Sequence, residues 1–194
     1  MEIKLTNICK YFSDNLVLDN INLTIGEGIT CVMGPSGIGK TTLAYVIAGL
    51  VPPDSGDITG RDGKKISIMF QEDRLLDWET AVRNVLFVTR SARKNFESAC
   101  NLLKQAGLAD SIYKKTSELS GGMKRRVCLC RALIADYELL ILDEPFKGLD
   151  IGIKPRIMDM VREHSSEIGG KSVICITHDP AEAESLGGNL VVLP

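Results

Sequence analysis

No stretch of this sequence approaches the ~18 consecutive apolar residues of a membrane-spanning helix, so nothing in it reads as crossing a bilayer. Neither sign of charge dominates. The formal net charge is −2 over 194 residues, which gives no reason to expect nucleic acid as the main partner. The opening Met1-Glu2-Ile3-Lys4-Leu5-Thr6 has no signal-peptide core, so the protein is expected to stay in the cytosol. Linkers, low-complexity tracts and internal repeats are missing too, and the length suits one compact α/β unit with room for a subdomain. The cysteines are scattered, at Cys9, Cys31, Cys100, Cys128, Cys130 and Cys175, without metal-ligand spacing. Cys128 and Cys130 stand two apart on an expected helix, a poor geometry for gripping one ion. All six read as reduced, small, buried hydrophobes.

Against that plain background, one stretch is rich in chemistry. Gly34-Pro35-Ser36-Gly37-Ile38-Gly39-Lys40-Thr41 has the spacing G-x-x-x-x-G-K-T of a phosphate-binding loop. The apolar run Ile29-Thr30-Cys31-Val32-Met33 before it reads as a strand, and Thr42-Leu43-Ala44-Tyr45-Val46-Ile47-Ala48 after it as a helix. Glycines let the backbone approach an anion closely. Loop N–H groups and the helix N-terminus then point at phosphate oxygens. Lys40 would neutralise the β- and γ-phosphates, and Thr41 would offer its hydroxyl to Mg²⁺.

Before this loop, residues 2–8 and 20–25 alternate polar and apolar, as half-buried strands do, with Tyr11-Phe12-Ser13-Asp14-Asn15 expected as a loop between them. One of its two aromatics could stack on an adenine ring or cap the small sheet's core. Gly49 and Pro52-Pro53 stop the first helix. Residues 57–59 and 65–70 read as strands, the second ending at Gln71. Gln71 could reach a metal or a water, or be an ordinary loop residue. Residues 79–136 are helix-rich, with apolar positions at Val82, Val85, Leu86, Val88, Phe96, Cys100, Leu102 and Leu103. They read as a helical subdomain inserted between strands of the core. In it, Ser120-Gly121-Gly122 opens a basic helix, either as an anion-binding start or as a Ser N-cap with a solvated basic face.

Two later strands carry polar groups at their carboxyl ends, where open α/β sheets bind ligands. Leu139-Leu140-Ile141-Leu142 runs into Asp143-Glu144, and Ser172-Val173-Ile174-Cys175-Ile176-Thr177 into His178. Asp143 would hold Mg²⁺ through water, and Glu144 would act as general base. His178 is placed to reach a γ-phosphate. Residues 153–168 read as an amphipathic helix, and residues 189–193 as the strand that closes the sheet.

Together these motifs resemble the ATPase subunit of an ATP-binding cassette (ABC) transporter over essentially the whole chain. Leu119-Ser120-Gly121-Gly122-Met123 resembles the family's signature motif, with Met123 where Gln is usual. Gln71 matches its Q-loop, Asp143 and Glu144 its Walker B pair, Gly148-Leu149-Asp150 its D-loop and His178 its switch histidine. In Lys10-Tyr11-Phe12, Phe12 stands where the family's adenine-stacking aromatic lies, with Tyr11 as fallback. The D-loop has Lys147-Gly148 where Ser-Ala is common. Phe70-Gln71-Glu72-Asp73-Arg74-Leu75-Leu76-Asp77-Trp78 is similar to the F-Q-x-x-R-L-L-P-W stretch of importers for nitrate, sulfonates and taurine, with Asp77 at the usual Pro.

The resemblance implies a P-loop NTPase (RecA-type) α/β core with an N-terminal antiparallel β subdomain and an inserted helical subdomain. The expected division is a β subdomain over 1–28, a nucleotide core over 29–75 and 137–194, and a helical subdomain over 76–136. It implies ATP and Mg²⁺ as cofactors. Gly34, Pro35, Ser36, Gly37, Ile38, Gly39, Lys40, Thr41, Thr42 and Phe12 would contact nucleotide. Thr41, Gln71 and Asp143 would hold the metal, and Glu144 and His178 would be catalytic. It also implies a head-to-tail dimer in which Ser120, Gly121 and Gly122 close over the ATP of a second copy. Membrane permease subunits and an extracytoplasmic solute-binding protein are the other implied partners, with the chain peripheral on the cytoplasmic side of the membrane. A groove near Gln71 and Trp78 would receive a short helix of the permease, although Trp78 could equally be subdomain core. The competing classes are a soluble ABC ATPase uncoupled from transport, which usually carries two cassettes or a coiled-coil insertion, and a P-loop small-molecule kinase, which would not need the signature motif.

Overall fold

The computed structural model describes residues 2–166 and 171–193. In chain order, β1 (Ile3–Phe12), β2 (Asn15–Ile25) and β3 (Gly28–Met33) lead into α1 (Lys40–Ile47). Then come β4 (Ser55–Thr59), β5 (Ile66–Met69), α2 (Ala81–Leu86), α3 (Ala92–Gln105) and α4 (Gly121–Ile134). The rest is β6 (Leu139–Asp143), α5 (Lys154–Ser166), β7 (Ser172–Ile176), α6 (Pro180–Leu186) and β8 (Asn189–Val192).

The strands form two sheets. One is antiparallel, in the order β2-β1-β4, and the other has the order β5-β6-β7-β3-β8 with every pairing parallel. β6 and β7 are central and buried at every position. Their side chains alternate between two cores, which is why both segments are unbroken apolar runs. Leu139, Ile141, Ile174 and Ile176 face α1 and the antiparallel sheet. Leu140, Leu142, Val173 and Cys175 face α5, α6 and the helical segment. Each such side chain contributes roughly 1.5–3 kcal/mol on leaving water. Gly49, at φ +74, takes up the left-handed step that ends α1.

Several expectations change. Residues 11–15 are not a loop. Tyr11 pairs with Leu16 and Phe12 with Asn15, so the hairpin continues to a tight turn at Ser13 and Asp14. Aromatic residues suit a half-exposed strand edge, and that preference carries the ladder outward. β4 was expected within the nucleotide core by chain order, yet it pairs with β1 in the antiparallel sheet. Val88 and Phe96, expected on an apolar face, are exposed, whereas Val82, Val85, Leu86, Cys100, Leu102 and Leu103 are buried. α6 was not expected at all, although Asp179 caps it and Pro180 sits in its first turn, a recognised start signal. α5 is described to Ser166, and residues 167–168 of the expected helix lie outside the described residues. Five of the six cysteines are buried and all are free. Among the described residues no group of His, Cys, Asp and Glu has the arrangement of a metal site, and no helix is long and apolar enough to cross a membrane.

Candidate functional site

Residues 34–39 leave the carboxyl end of β3 and turn into α1, between the ends of β7 and β8. Gly39 makes this turn possible in two ways. Its φ is +100, and a Cβ there would stand 2.7 Å from the Val17 carbonyl oxygen and 2.9 Å from Leu18 Cδ2. The start of β2 therefore lies directly against the loop, with Phe12 at the tip of the same hairpin. Phe12 is half-exposed, and Lys10 Nζ lies 5.7 Å from its ring centroid. Lys40 folds back over the loop, donating to the carbonyl oxygens of Gly34 at 2.7 Å and Pro35 at 2.8 Å.

The ends of β6 and β7 bring in the acidic and imidazole groups. Thr41 Oγ1 donates to Asp143 Oδ2 at 2.7 Å. Asp143 is buried, and that burial pushes its carboxyl above the ordinary value, against the opposing pull of the Thr41 hydrogen bond. Its Oδ1 has no hydrogen-bond partner among the described residues. Glu144 adopts φ +49, an uncommon left-handed backbone for a side chain of this size. It is held there partly by the N–H it donates to the Ile176 carbonyl at 3.0 Å. Its Oε1 lies 3.2 Å from His178 Nδ1, and its Oε2 lies 2.9 Å from Lys147 Nζ. Burial by itself would raise the Glu144 carboxyl, but Lys147 and His178 outweigh it and hold the group below its ordinary value.

A cavity of about 320 Å³ collects most of the expected residues: Ser36, Gly37, Gly39, Lys40, Thr41, Thr42, Gln71, Asp143 and Glu144 line it, with Val17 and Lys147. Gly34, Pro35 and His178 are outside the lining; the carbonyls of the first two hold Lys40, and His178 contacts Glu144. Phe12 and Ile38 are outside the lining, as are Ser120, Gly121 and Gly122. Ser120 caps α4, its Oγ accepting from the Met123 N–H at 3.3 Å. Gly122 packs on the turn at Gly148, where a Cβ would stand 3.0 Å from the Gly148 carbonyl oxygen.

Two residues at this site escape a reading of the sequence. Lys147 registers there only as a departure from a motif, yet it pairs with Glu144. Arg125 reads as part of a solvated basic face, yet it is buried beneath the site. The available signal is helical spacing: Arg125 stands three and four residues before the buried Cys128 and Leu129.

A strand, a phosphate loop and a helix beside a carboxylate-bearing strand end define a P-loop nucleotide-binding fold. The comparisons narrow it. Residues 18–147 match the model of the family described as ABC transporter. The chain is 39% identical over 196 residues to aliphatic sulfonates import ATP-binding protein SsuB 1 of Rhodococcus jostii (strain RHA1), covering 98% of this chain and 78% of that protein. It is 36% identical over 203 residues to taurine import ATP-binding protein TauB of Escherichia coli O157:H7, covering 98% and 79%. Among solved structures, the dimeric post-hydrolysis state of the ATP-binding cassette MJ0796 bound to ADP and Pi aligns with a TM-score of 0.87 at 30% identity, over 98% of this chain and 94% of that one. This chain belongs to the ABC transporter family and is an ATP-binding, ATP-hydrolysing cassette of it.

Proposed function

We propose that this chain powers the import of a small organic or inorganic anion, sulfonates foremost, through separate membrane permease subunits. The observation that carries the catalytic part is the convergence of Lys40, Thr41, Asp143 and Glu144 on one cavity, with Glu144 ion-paired and hydrogen-bonded into position. The loop N–H groups and Lys40 bind the phosphates, Lys40 exchanging its loop carbonyls for phosphate oxygens. Glu144 accepts a proton from the attacking water. Lys147 and His178 stabilise its ionised form, the form that can take up a proton. His178 orients Glu144 and is proposed to reach the γ-phosphate from there.

The donors present fit Mg²⁺. Thr41 Oγ1, the Gln71 side chain and the unpartnered Asp143 Oδ1 are hard oxygen groups, and one carboxylate plus substrate phosphates is the usual protein share of such a site. The ion, when bound, neutralises charge on the β- and γ-phosphates. Thr41, Gln71 and Asp143 would hold it, Asp143 through water.

Ser120, Gly121 and Gly122 are proposed to close over the ATP of a second copy in a head-to-tail dimer, giving two identical composite sites. Their position outside the cavity of their own chain supports this. So do the dimeric cassettes among the structural relatives. Phe12, or Tyr11 beside it, is proposed to stack on adenine from the hairpin tip. The groove beyond Gln71 is proposed to receive a short permease helix on the cytoplasmic face of the membrane. It is lined by Leu76, Trp78, Leu86, Phe87 and Phe96, and Trp78 is 70% exposed. An extracytoplasmic solute-binding protein completes the proposed importer.

The test is purification of the tagged chain from membranes of its own organism. A polytopic membrane protein should accompany it, and ATP should yield free phosphate. A phosphorylated small-molecule product, or ATPase activity with no membrane partner, would overturn the transport reading.

A further inference from the structure

The guanidinium of Arg125 is buried inside α4, and no motif of the site calls for a charge there. All three of its nitrogens are spent on main-chain oxygens. Nη1 donates to the carbonyls of Phe70 at 2.8 Å and Gln71 at 2.9 Å. Nη2 donates to the carbonyls of Asp143 and, at 2.7 Å, Glu144, and Nε reaches the Glu144 carbonyl at 3.2 Å. The nearest carboxylate oxygen is Asp73 Oδ1, at 3.7 Å. One planar fork thus ties the helix that begins at Ser120 to the strand end that carries Glu144 and to the backbone on either side of Gln71.

The Glu144 peptide is the telling part. Its backbone is left-handed, a conformation that persists only where the surroundings over-determine it. Its N–H goes to the Ile176 carbonyl, and its C=O accepts from both Arg125 nitrogens, the closer at 2.7 Å, and more distantly, at 3.2 Å, from the Lys147 backbone N–H. With the peptide pinned at both its N–H and its C=O, the carboxylate extends to His178 and Lys147. A lysine at 125 could carry the charge but not the fork, because an ammonium has no fixed plane of donors.

We infer that Arg125 is a positioning residue for hydrolysis: it clamps the Glu144 carbonyl so that the carboxylate is aimed, and it locks the Gln71 backbone to the same frame. It touches neither nucleotide nor metal and acts through Glu144. The inference rests on Glu144 being the general base.

Arg125→Lys and Arg125→Gln separate this from a merely structural role. The readouts are affinity for a non-hydrolysable ATP analogue, ATPase kinetics at saturating ATP, and thermal unfolding. The expected result is a kcat lower by about tenfold or more, since small misplacements of a reacting group carry such penalties. Analogue affinity and KM should stay within about twofold, the pattern of a contact that matters only in the transition state. Combining each change with Glu144→Gln gives the decisive reading. Arg125→Lys should then lower the residual rate by less than about twofold, because the group it aims has gone.

Wild-type kcat in a folded Arg125→Lys cassette would overturn the inference. So would a parallel fall in affinity and kcat, or a full, additive loss in the Glu144→Gln background. If neither variant folds, Arg125 is a structural pin and the inference also fails. Failure of the Glu144 assignment would look different, because Glu144→Gln alone would retain activity.

Discussion

The hydroxyl of Thr41 donates to the carboxylate of Asp143 at 2.7 Å, although the two stand 102 residues apart in the chain. This bond joins the end of the phosphate loop to the end of β6, and both residues line the cavity. It also leaves the other oxygen of Asp143 buried and unpartnered among the described residues. Asp143→Asn keeps the shape and an acceptor for Thr41 but removes the charge. ATP affinity without Mg²⁺ should hardly change, while the gain in affinity on adding Mg²⁺ should be lost. Titrating ATP with and without the ion checks this, and an undiminished gain would remove Asp143 from the metal site.

Glu144→Gln should leave ATP binding intact and lower turnover by about 10²–10⁴-fold, the usual share of a general base. Because hydrolysis is what lets the proposed dimer open, this variant should accumulate as an ATP-stabilised dimer. Light scattering with and without ATP measures it.

In the Glu144→Gln background, Ser120→Arg should abolish ATP-induced dimerisation while each chain still binds ATP. The hydroxyl and the two glycines offer a small, donor-rich helix start, and an arginine there blocks close approach to phosphate. A dimer forming normally would argue against the composite site.

Lys40→Ala should weaken nucleotide binding by about 10- to 100-fold, the worth of charge-assisted hydrogen bonds. Isothermal titration reads this directly, and unchanged affinity would sink the phosphate-loop assignment.

Gly39→Ala probes the fold under the loop. The new methyl would meet the Val17 carbonyl oxygen at 2.7 Å, in a backbone conformation that side chains rarely adopt. A loss of about 1–3 kcal/mol is expected, which for a chain of this size is a fall in Tm of roughly 2–12 °C. Trp78→Ala is the contrast. The exposed ring should leave stability within about 0.5 kcal/mol of the wild type, while the cassette should be retained poorly by permease-containing membranes.

The legible parts of this protein were those governed by local chemistry. The strand before Gly34, the glycine spacing, Lys40 and Thr41 form one continuous segment, and its geometry follows from residues that are neighbours in the chain. The apolar runs of β6 and β7 were equally plain, since strands buried on both faces need no alternation. The sequence also marked the chemical candidates at their ends, Asp143, Glu144 and His178.

Tertiary structure decided what those candidates do to one another. The hairpin's continuation through Phe12 depends on pairing with Asn15 and Leu16, and β4's place depends on β1, neither of which local propensity encodes. Trp78 was open between core and surface until the fold left it exposed. Lys147 becomes a partner of Glu144 only because the turn after β6 brings its amine back over the carboxylate. Arg125 looked like one more solvated cation on a basic helix. Its burial follows from the way α4 packs across the end of the parallel sheet, where four main-chain carbonyls from two separate segments converge on one guanidinium. Backbone carbonyls carry no residue identity, so no pattern of side chains along the chain could announce that site. Only the three-dimensional convergence of the segments creates it.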